Sequence, residues 1–294
     1  VTVPPMRPPS DRWWLVALDV GQGDALAIGF ADGWWLVDAG PRTERIDAGR
    51  RVVLPFMRWA GIGRLTCLVV THDDSDHTGG APSVRAAMAV DRVLAPVPLP
   101  HVPGPLARFH ARAVAAGDTL ARQPRVVACW PPRGFDASAD NAAGLVLEVG
   151  EGRARALLTA DVDSTIEALM LPSLDIGGRL EVLKAGHHGS ASSSGTTLLT
   201  RLSPRLTVLS CGRHNAFGHP APVTLERLAA AGTIVRRTDR EGSVWLELSD
   251  AGARVVDWRH GEPRPASHEV IAVATARAGE IAALHPVARP WPRW

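Results

Sequence analysis

The chain has 294 residues, 46% of them hydrophobic, which is enough for one large domain with a sizeable core or for two modest domains. Its 32 basic and 30 acidic side chains leave a formal net charge of only +2, which excludes nucleic-acid binding driven by a global basic excess. The three widely spaced cysteines form no CxxC pair, which argues against a zinc ribbon or a disulfide framework, and no apolar run reaches the roughly 18 residues of a membrane span.

Strands and helices alternate along residues 13–258, which we predict to form one folded domain. An extended, proline-rich leader at residues 1–12 and a peripheral tail at residues 259–294 flank this domain. In the N-terminal half, the pattern predicts strands over 13–20, 25–30, 34–37, 65–70, near 93 and over 125–130, with helices over 52–60, 80–88 and 106–116. In the C-terminal half, it predicts strands over 145–149, 154–159, 180–184, 205–209, 234–237, 244–248 and 254–257, with helices over 165–170, 195–202 and 223–231. Hairpins combined with intervening helices predict a layered α/β fold with two packed sheets.

The strongest chemical signal lies directly after the predicted buried strand 65–70. Two imidazoles and three carboxylates fall within six residues there, from His72, Asp73, Asp74, Asp76 and His77. Burying this much charge is costly unless a cation is present. The run therefore predicts a two-metal site, with His72 and Asp74 on one side and Asp76 and His77 on the other. The alternative interpretation is a solvated acidic loop or a helix cap.

Two later strand ends carry side chains that would complete such a site. Asp161 ends an apolar strand and is either an N-cap for the helix near Thr165 or a carboxylate that bridges two cations. His187 and His188 follow the strand 180–184, and because adjacent side chains point apart, at most one of them is expected to bind metal directly. Lys184, the only lysine of the chain, could offer a positive charge to a phosphate.

Polar loops after the last strands favour an anionic substrate. Arg213, His214, Asn215 and His219 share one glycine-rich loop, and such side chains suit anion binding, although a surface turn is the alternative. Ser192, Ser193 and Ser194 lead into a predicted helix and offer hydroxyl donors.

Three acidic side chains occupy the ends of the first strands. Asp38 could orient a ligand histidine or a loop amide from behind the site. Asp19 and Asp24 are interpreted as turn residues, because aspartate commonly bonds the backbone of its own turn.

Taken together, these motifs resemble the metallo-β-lactamase superfamily, and more narrowly the C-terminal hydrolase domain of the ComEC competence protein family. The matching segments occur in the family order over about residues 13–258. They are LDVGQGDALAI (18–28), LVDAG (36–40), THDDSDHTGG (71–80), LLTADV (157–162), LKAGHHGSASSSG (183–195) and FGHP (217–220).

The resemblance implies an α/β fold, a four-layer αββα sandwich, with the site at one edge of the two sheets. The implied metal ligands are His72, Asp74, Asp76, His77, Asp161 and one of His187 and His188, of which we take His188. The residues taken as catalytic are Asp74, Asp161, His187 and His219, and those taken as substrate-binding are Lys184, Ser190, Ser192 and Asn215, with Asp38 behind the ligands.

Two positions depart from the pattern of the narrower family: Ala143 occupies the usual place of a serine, and Phe217 replaces the more usual tyrosine. Asp74 stands where broader superfamily members carry histidine, although aspartate is usual there in the ComEC branch. Three carboxylates against three imidazoles make an oxygen-rich ligand set, so two divalent cations are predicted, with Mn²⁺ preferred and Zn²⁺ or Mg²⁺ as alternatives.

The resemblance also implies a function, namely a nuclease domain that hydrolyses DNA phosphodiester bonds with a two-metal-activated water and degrades the strand that is not transported. Its partners would be DNA, with single strands favoured, and a membrane channel N-terminal to this chain, so that the domain lies on the extracytoplasmic (periplasmic) side of a bacterial inner membrane. Two alternatives stay open: a small-molecule phosphodiesterase or esterase of the same superfamily, and a catalytically silent DNA-docking module.

Overall fold

Two β-sheets packed face to face form the centre of the structure, a computed structural model that describes residues 6–96, 111–135, 141–174, 179–257 and 262–263. The first strand, β1 (Arg12–Ala17), illustrates how the sequence builds this centre. Its Trp13 and Leu15 side chains belong to the cluster between the two sheets, whereas Val16 belongs to the cluster on the outer face. Because successive side chains of a strand point to opposite faces, a strand that is apolar on both faces must be covered on both sides.

The first sheet is mixed, with an antiparallel half and a parallel half. In spatial order its strands are β18 (Glu262–Pro263), β17 (Gly252–Asp257), β16 (Val244–Ser249), β1, β2 (Leu26–Phe30), β3 (Gly33–Val37), β5 (Cys67–Val69), β7 (Val93–Pro96) and β8 (Arg112–Val114). The strands β3, β5, β7 and β8 are parallel to one another, whereas β3 is antiparallel to β2. A short parallel pair, β4 (Arg64–Leu65) with β6 (Ala89–Val90), lies apart from the main sheet.

The second sheet places three polar loops at one edge. In spatial order its strands are β15 (Ile234–Arg237), β14 (Leu206–Leu209), β13 (Val182–Lys184), β12 (Ala156–Leu158), β11 (Val146–Val149), β10 (Arg125–Trp130) and β9 (Thr119–Arg122). The strands β12, β13, β14 and β15 are parallel to one another. Because the carboxyl ends of parallel strands lie at the same edge, the loops after β12, β13 and β14 emerge together there.

Helices cover the outer faces of both sheets. They are α1 (Leu54–Trp59), preceded by a π-helical turn over Gly49–Val53, α2 (Ser75–Thr78), α3 (Ala81–Ala87), α4 (Ser164–Met170), α5 (Thr196–Leu202), α6 (Pro222–Ala230) and α7 (Thr238–Glu241). Phe56 of α1 and Val84 of α3 pack on the first sheet, and Ile166, Leu199 and Leu228 of α4, α5 and α6 pack on the second. The layers therefore stack as helix, sheet, sheet and helix, which confirms the predicted αββα sandwich.

The predicted helix over 106–116 is wrong in its second half. Residues 112–114 form β8, which pairs in parallel with β7 at the edge of the first sheet, so tertiary pairing outweighs the local helical pattern. Residues 106–110 lie outside the described residues, as do residues 1–5 of the predicted leader and all of the predicted tail except β18. Within the described ranges no helix combines the length and the apolar character needed to cross a bilayer.

Candidate metal centre

Asp38, directly after β3, holds the loop that carries the metal-ligand motif. Its carboxylate accepts hydrogen bonds from the Thr71 amide at 2.9 Å and the Thr71 hydroxyl at 2.7 Å, and it lies 2.7 Å from His77 Nδ1. This contact places the proton of His77 on Nδ1, so the lone pair on Nε2 points into the cluster. Asp38 thus contacts both a loop amide and a histidine of the motif.

Four ligand-type atoms converge from four places in the chain. His77 Nε2 lies 3.2 Å from Asp161 Oδ2 and 3.3 Å from His188 Nε2. His188 Nε2 in turn lies 3.3 Å from Asp161 Oδ2 and 3.2 Å from Asp76 Oδ2. Since two ligands on one cation with bonds of about 2.0–2.2 Å lie about 3.0–3.4 Å apart, this spacing fits a cation position.

The tautomer of His188 supports the same interpretation. Its Nδ1 donates to the Ser210 carbonyl oxygen at 3.0 Å, so Nε2 is left with a lone pair. When both rings are neutral, the Nε2 lone pairs of His77 and His188 face each other at 3.3 Å. Such an arrangement is unfavourable unless a positive charge lies between them, and a divalent cation supplies one.

A second group of ligand atoms lies beside the first. His72 Nε2 is 3.4 Å from Asp74 Oδ2, and the rings of His72 and His77 have centroids 4.1 Å apart. Within the described part of the chain, His72 Nε2 and Asp161 Oδ1 are both buried and have no hydrogen-bond partner. With Asp161 Oδ2 in the first group and Asp161 Oδ1 unsatisfied, the cluster is compatible with a two-metal site.

The charges of the cluster balance one another in the absence of a cation. Burial opposes ionisation of Asp161, but the neighbouring His77 and His188 outweigh it and hold the pKa of this carboxyl well below its usual range. Burial likewise disfavours a charged His77, but Asp161 and Asp38 outweigh it and raise the pKa of that imidazole well above its usual value. Cation binding would replace these protons, as expected when ligands must be deprotonated.

The alternative role of Asp161 as a helix cap does not fit the structure. The N-cap of α4 is Asp163, whose Oδ1 accepts hydrogen bonds from the amides of Thr165 at 2.9 Å and Ile166 at 3.0 Å. Asp161 is buried in the cluster instead.

Asp24 is a member of the cluster that the sequence interpretation missed. Asp24, His77, Asp161 and His188 each offer an atom such that all four atoms lie within 4.8 Å of one another. Asp24 Oδ1 lies 3.4 Å from His188 Nδ1, however, whereas Asp76 faces Nε2 on the opposite side of the ring. We therefore interpret Asp24 as a group that orients His188 from behind, and Asp76 as the ligand-type carboxylate. The interpretation of Asp24 as a turn residue was wrong, because its buried carboxylate pairs with Lys184, while Asp19 does accept a turn bond from the Gly21 amide at 3.4 Å.

Lys184 is buried and forms an ion pair with Asp24. The predicted contact with a substrate phosphate therefore needs correction, because the ammonium group lies in the interior and its charge is matched by the Asp24 carboxylate. The signal that could have revealed this pair is the position of the only lysine at the end of the fully buried strand β13.

The turn before β2 contacts both the metal-ligand motif and the loop that carries His219. A side chain at Gly23, which has a φ of +132°, would collide with the Asp76 carbonyl oxygen, so this turn can approach the metal-ligand motif only as glycine. Gln22 Oε1 accepts a hydrogen bond from the Gly212 amide at 3.2 Å, and its Nε2 lies 3.5 Å from His219 Nδ1. Gln22 was not predicted as a site residue.

His187 and His219 lie at the accessible side of the cluster. The His187 side chain is 32% exposed, and its Nε2 is 3.8 Å from Asp161 Oδ2. The His219 ring centroid lies 5.5 Å from that of His187 and 6.4 Å from that of His188. His187 and His188 have φ values of +46° and +54°, a left-handed conformation that is costly for non-glycine residues and is often found at functional sites. Burial lowers the pKa of both His187 and His219.

Asn215 uses its side chain within its own loop. Its Nδ2 donates to the carbonyl oxygens of Gly212 at 2.9 Å and His219 at 2.5 Å. Its Oδ1 accepts from the amides of Phe217 at 3.2 Å and His219 at 3.0 Å. The predicted direct contact with substrate is therefore corrected: Asn215 shapes the loop and positions His219.

The serine-rich segment divides into accessible and buried residues. Ser192 is exposed and Ser190 is partly exposed, and their hydroxyl oxygens lie 3.1 Å apart. Ser193 and Ser194 are buried. Glu167 of α4 fixes the segment, because its carboxylate accepts the amides of Ser194 at 2.6 Å and Gly195 at 2.7 Å.

Glu167 makes the stability of the fold dependent on pH. Burial raises its pKa to about 7 from an ordinary value of 4.5, although the two amides favour the charged form. Between these values the folded protein binds a proton that the unfolded chain has lost, so the free energy of unfolding should fall as the pH rises, by up to about 3 kcal/mol. In urea titrations at pH 5 and pH 8, we expect Glu167→Gln to lack this fall. Glu226→Gln, on the exposed face of α6, should follow the wild type, and equal pH dependence of wild type and Glu167→Gln would contradict the prediction.

The sequence is similar to that of known proteins. The profile of the metallo-beta-lactamase superfamily matches residues 18–213. Among curated proteins, the ComE operon protein 3 of Bacillus subtilis (strain 168) is 30% identical over 251 residues, covering 77% of this chain and 32% of that protein. Competence protein ComA of Neisseria gonorrhoeae is 29% identical over 266 residues, covering 86% of this chain and 35% of that protein. The chain thus spans about a third of the length of these relatives, which confirm the predicted resemblance to competence proteins.

Solved structures agree on the fold. CmlA, a diiron beta-hydroxylase from Streptomyces venezuelae, superposes with a TM-score of 0.52 at 16% identity, covering 78% of this chain and 53% of that chain. At this identity the likeness concerns the fold alone.

Proposed function

This chain belongs to the metallo-β-lactamase superfamily, and from that membership we propose that it is the metal-dependent nuclease domain of a DNA-uptake membrane protein, hydrolysing phosphodiester bonds of DNA. The proposal depends on one observation: His77 Nε2 lies 3.2 Å from the Asp161 carboxylate, and His188 Nε2 lies 3.2 Å from the Asp76 carboxylate and 3.3 Å from that of Asp161. Competence proteins among the relatives support DNA as the substrate.

Two divalent cations would be held by two sets of side chains that share Asp161. His77, His188 and Asp76 would hold one, and His72 with Asp74 the other. Bound there, the cations would act as Lewis acids that activate water and offset the charge of a phosphate. Since three carboxylates stand beside three imidazoles, we propose Mn²⁺ as the best activator, with Zn²⁺ binding but supporting less activity.

His219 is suited to donate a hydrogen bond to the substrate. The Gln22 amide nitrogen faces His219 Nδ1 at 3.5 Å while Gln22 Oε1 is occupied by the Gly212 amide, so Nδ1 accepts and the proton lies on Nε2. Because burial lowers the pKa of His219, the neutral ring is favoured and its Nε2–H can donate a hydrogen bond to a phosphate oxygen or to the oxygen of the leaving group. His187 lies beside it and offers a second neutral imidazole at the same opening.

In the whole protein we propose that a membrane channel lies N-terminal to this chain and that the domain acts on the extracytoplasmic side. There it would degrade the strand of incoming DNA that is not transported. The length of the competence relatives, of which this chain covers about a third, supports such an arrangement.

The test is cleavage of end-labelled single-stranded and double-stranded DNA by the purified protein with Mn²⁺, Mg²⁺ or Zn²⁺ added in turn. We expect cleavage of DNA with Mn²⁺ and weaker cleavage with Zn²⁺. Hydrolysis of bis(p-nitrophenyl) phosphate without cleavage of DNA would overturn the proposal in favour of a small-molecule phosphodiesterase. Binding of DNA without cleavage under every metal would overturn it in favour of a docking module.

A further inference from the structure

Phe217 is an apolar ring displayed in solvent at the edge of the candidate site. Its exposed fraction is 70%, which is larger than that of any other large hydrophobic residue in the described part of the chain. A single exposed apolar residue is ordinary on a protein surface and needs no function. Its setting, however, differs from that of an incidental surface residue in two ways.

First, the loop holds the ring in a defined position. Asn215 Oδ1 accepts the Phe217 amide at 3.2 Å and the His219 amide at 3.0 Å, so the backbone around Phe217 is fixed by a hydrogen-bond network within the loop. The Phe217 ring then stacks on His219, with centroids 5.8 Å apart and planes inclined by 29°. With 70% of the side chain exposed, most of the ring surface stays in solvent beside His219.

Second, successive contacts connect the ring to the cluster. His187 Nε2 lies 3.8 Å from the Asp161 carboxylate, the ring centroids of His187 and His219 lie 5.5 Å apart, and those of His219 and Phe217 lie 5.8 Å apart. A phosphodiester bound at the cluster would therefore have an aromatic surface beside it, about where a neighbouring nucleoside extends.

We infer that Phe217 is a stacking surface for an unpaired nucleobase next to the scissile phosphate and that it makes the site prefer single-stranded over double-stranded DNA. Bases of a duplex already stack on one another, whereas an unpaired base can stack on a protein aromatic ring. Phenylalanine has no hydrogen-bonding group, so the contact would tolerate any base. This inference rests on the proposed nuclease function and assigns its strand preference to one side chain.

Binding measurements test the inference without requiring turnover. The probe is an oligothymidylate that carries one 2-aminopurine, with the matching duplex for comparison, in Ca²⁺ buffer. Removing a base–aromatic stack typically weakens binding by about 5- to 150-fold. We expect Phe217→Ala and Phe217→Leu to weaken single-strand binding by at least tenfold and to lose the quenching of 2-aminopurine, while Phe217→Trp keeps both. Duplex binding should change less than twofold.

Leu169→Ala provides the matched control, because Leu169 is 60% exposed but lies on α4, outside the loop. It should bind both probes like the wild type. Equal binding by Phe217→Leu and the wild type, or an equal loss for single strand and duplex, would overturn the inference. If the wild type cleaves DNA and Phe217→Ala binds single strands unchanged, only this inference fails. If the wild type cleaves no DNA with any metal, the proposed nuclease function is overturned, whatever the binding measurements show.

Discussion

Replacing Asp161 by alanine is expected to abolish DNA cleavage, with kcat/KM falling by about 10⁴-fold or more, as when a central catalytic group is removed. Asp161 Oδ2 faces His77 and His188 at 3.2–3.3 Å, and Asp161 Oδ1 is buried without a hydrogen-bond partner among the described residues. Loss of this carboxylate would remove a ligand from both cation positions at once. Calorimetric titration with Mn²⁺ should therefore show neither of two binding events, while circular dichroism shows a native fold.

Asp163 provides a matched control two residues further along the chain. Its carboxylate caps α4 through the amides of Thr165 and Ile166 and makes no contact with the cluster. Asp163→Ala should lose about 0.5–2 kcal/mol of stability, as typical for a lost cap, and should keep Mn²⁺ binding and cleavage. Unimpaired cleavage or unchanged metal stoichiometry in Asp161→Ala would remove Asp161 from the site.

Replacing Lys184 by methionine is expected to destabilise the fold by about 3–5 kcal/mol, because it leaves the buried Asp24 carboxylate without its partner charge. Burial disfavours both charges, but Lys184 keeps the pKa of Asp24 below its usual range, and Asp24 keeps the pKa of Lys184 above its own. The Asp24→Asn, Lys184→Met double variant should recover most of the loss, since no unpaired charge then remains.

Urea unfolding of the wild type, both single variants and the double variant gives the coupling energy of the pair. The exposed pair Arg133–Asp118, at 2.7 Å, provides the control, and Arg133→Met should cost no more than about 1 kcal/mol. The prediction is contradicted if Lys184→Met stays within 1 kcal/mol of the wild type, or if the double variant is no more stable than Lys184→Met.

Much of the fold follows from patterns that are local in the chain. Strand β3 and strand β5 were predicted because each is a short apolar run that ends in a polar motif, and they bring Asp38 and the His72–His77 run to one sheet edge. The strands that the sequence analysis missed also have a physical explanation. Residues 112–114 and β9 form strands because of their neighbours in the two sheets, which no local pattern reports.

In the candidate site, too, some residues could be predicted from local sequence patterns and others depend on tertiary contacts. Asp76, His77, Asp161 and His188 each follow an apolar strand, so their chemistry and position could be predicted. Asp24, Lys184, Asn215 and Gln22 could not be assigned correctly, because the role of each depends on a partner from elsewhere in the fold: Asp24 on His188 and Lys184, Asn215 on the backbone of its loop, and Gln22 on His219.

The sequence by itself determined the four-layer architecture, the family and the cluster of ligand-type side chains, because alternating hydrophobicity and strand-end motifs are encoded by neighbouring residues. Only the tertiary structure decided which polar side chains lie in the interior and which face solvent. Lys184 pairs with Asp24 inside the protein, and the Asn215 amide forms its hydrogen bonds within its own loop. Both follow because a charge or an amide that is withdrawn from water needs a partner in the protein. Phe217, by contrast, is left in solvent beside the candidate site.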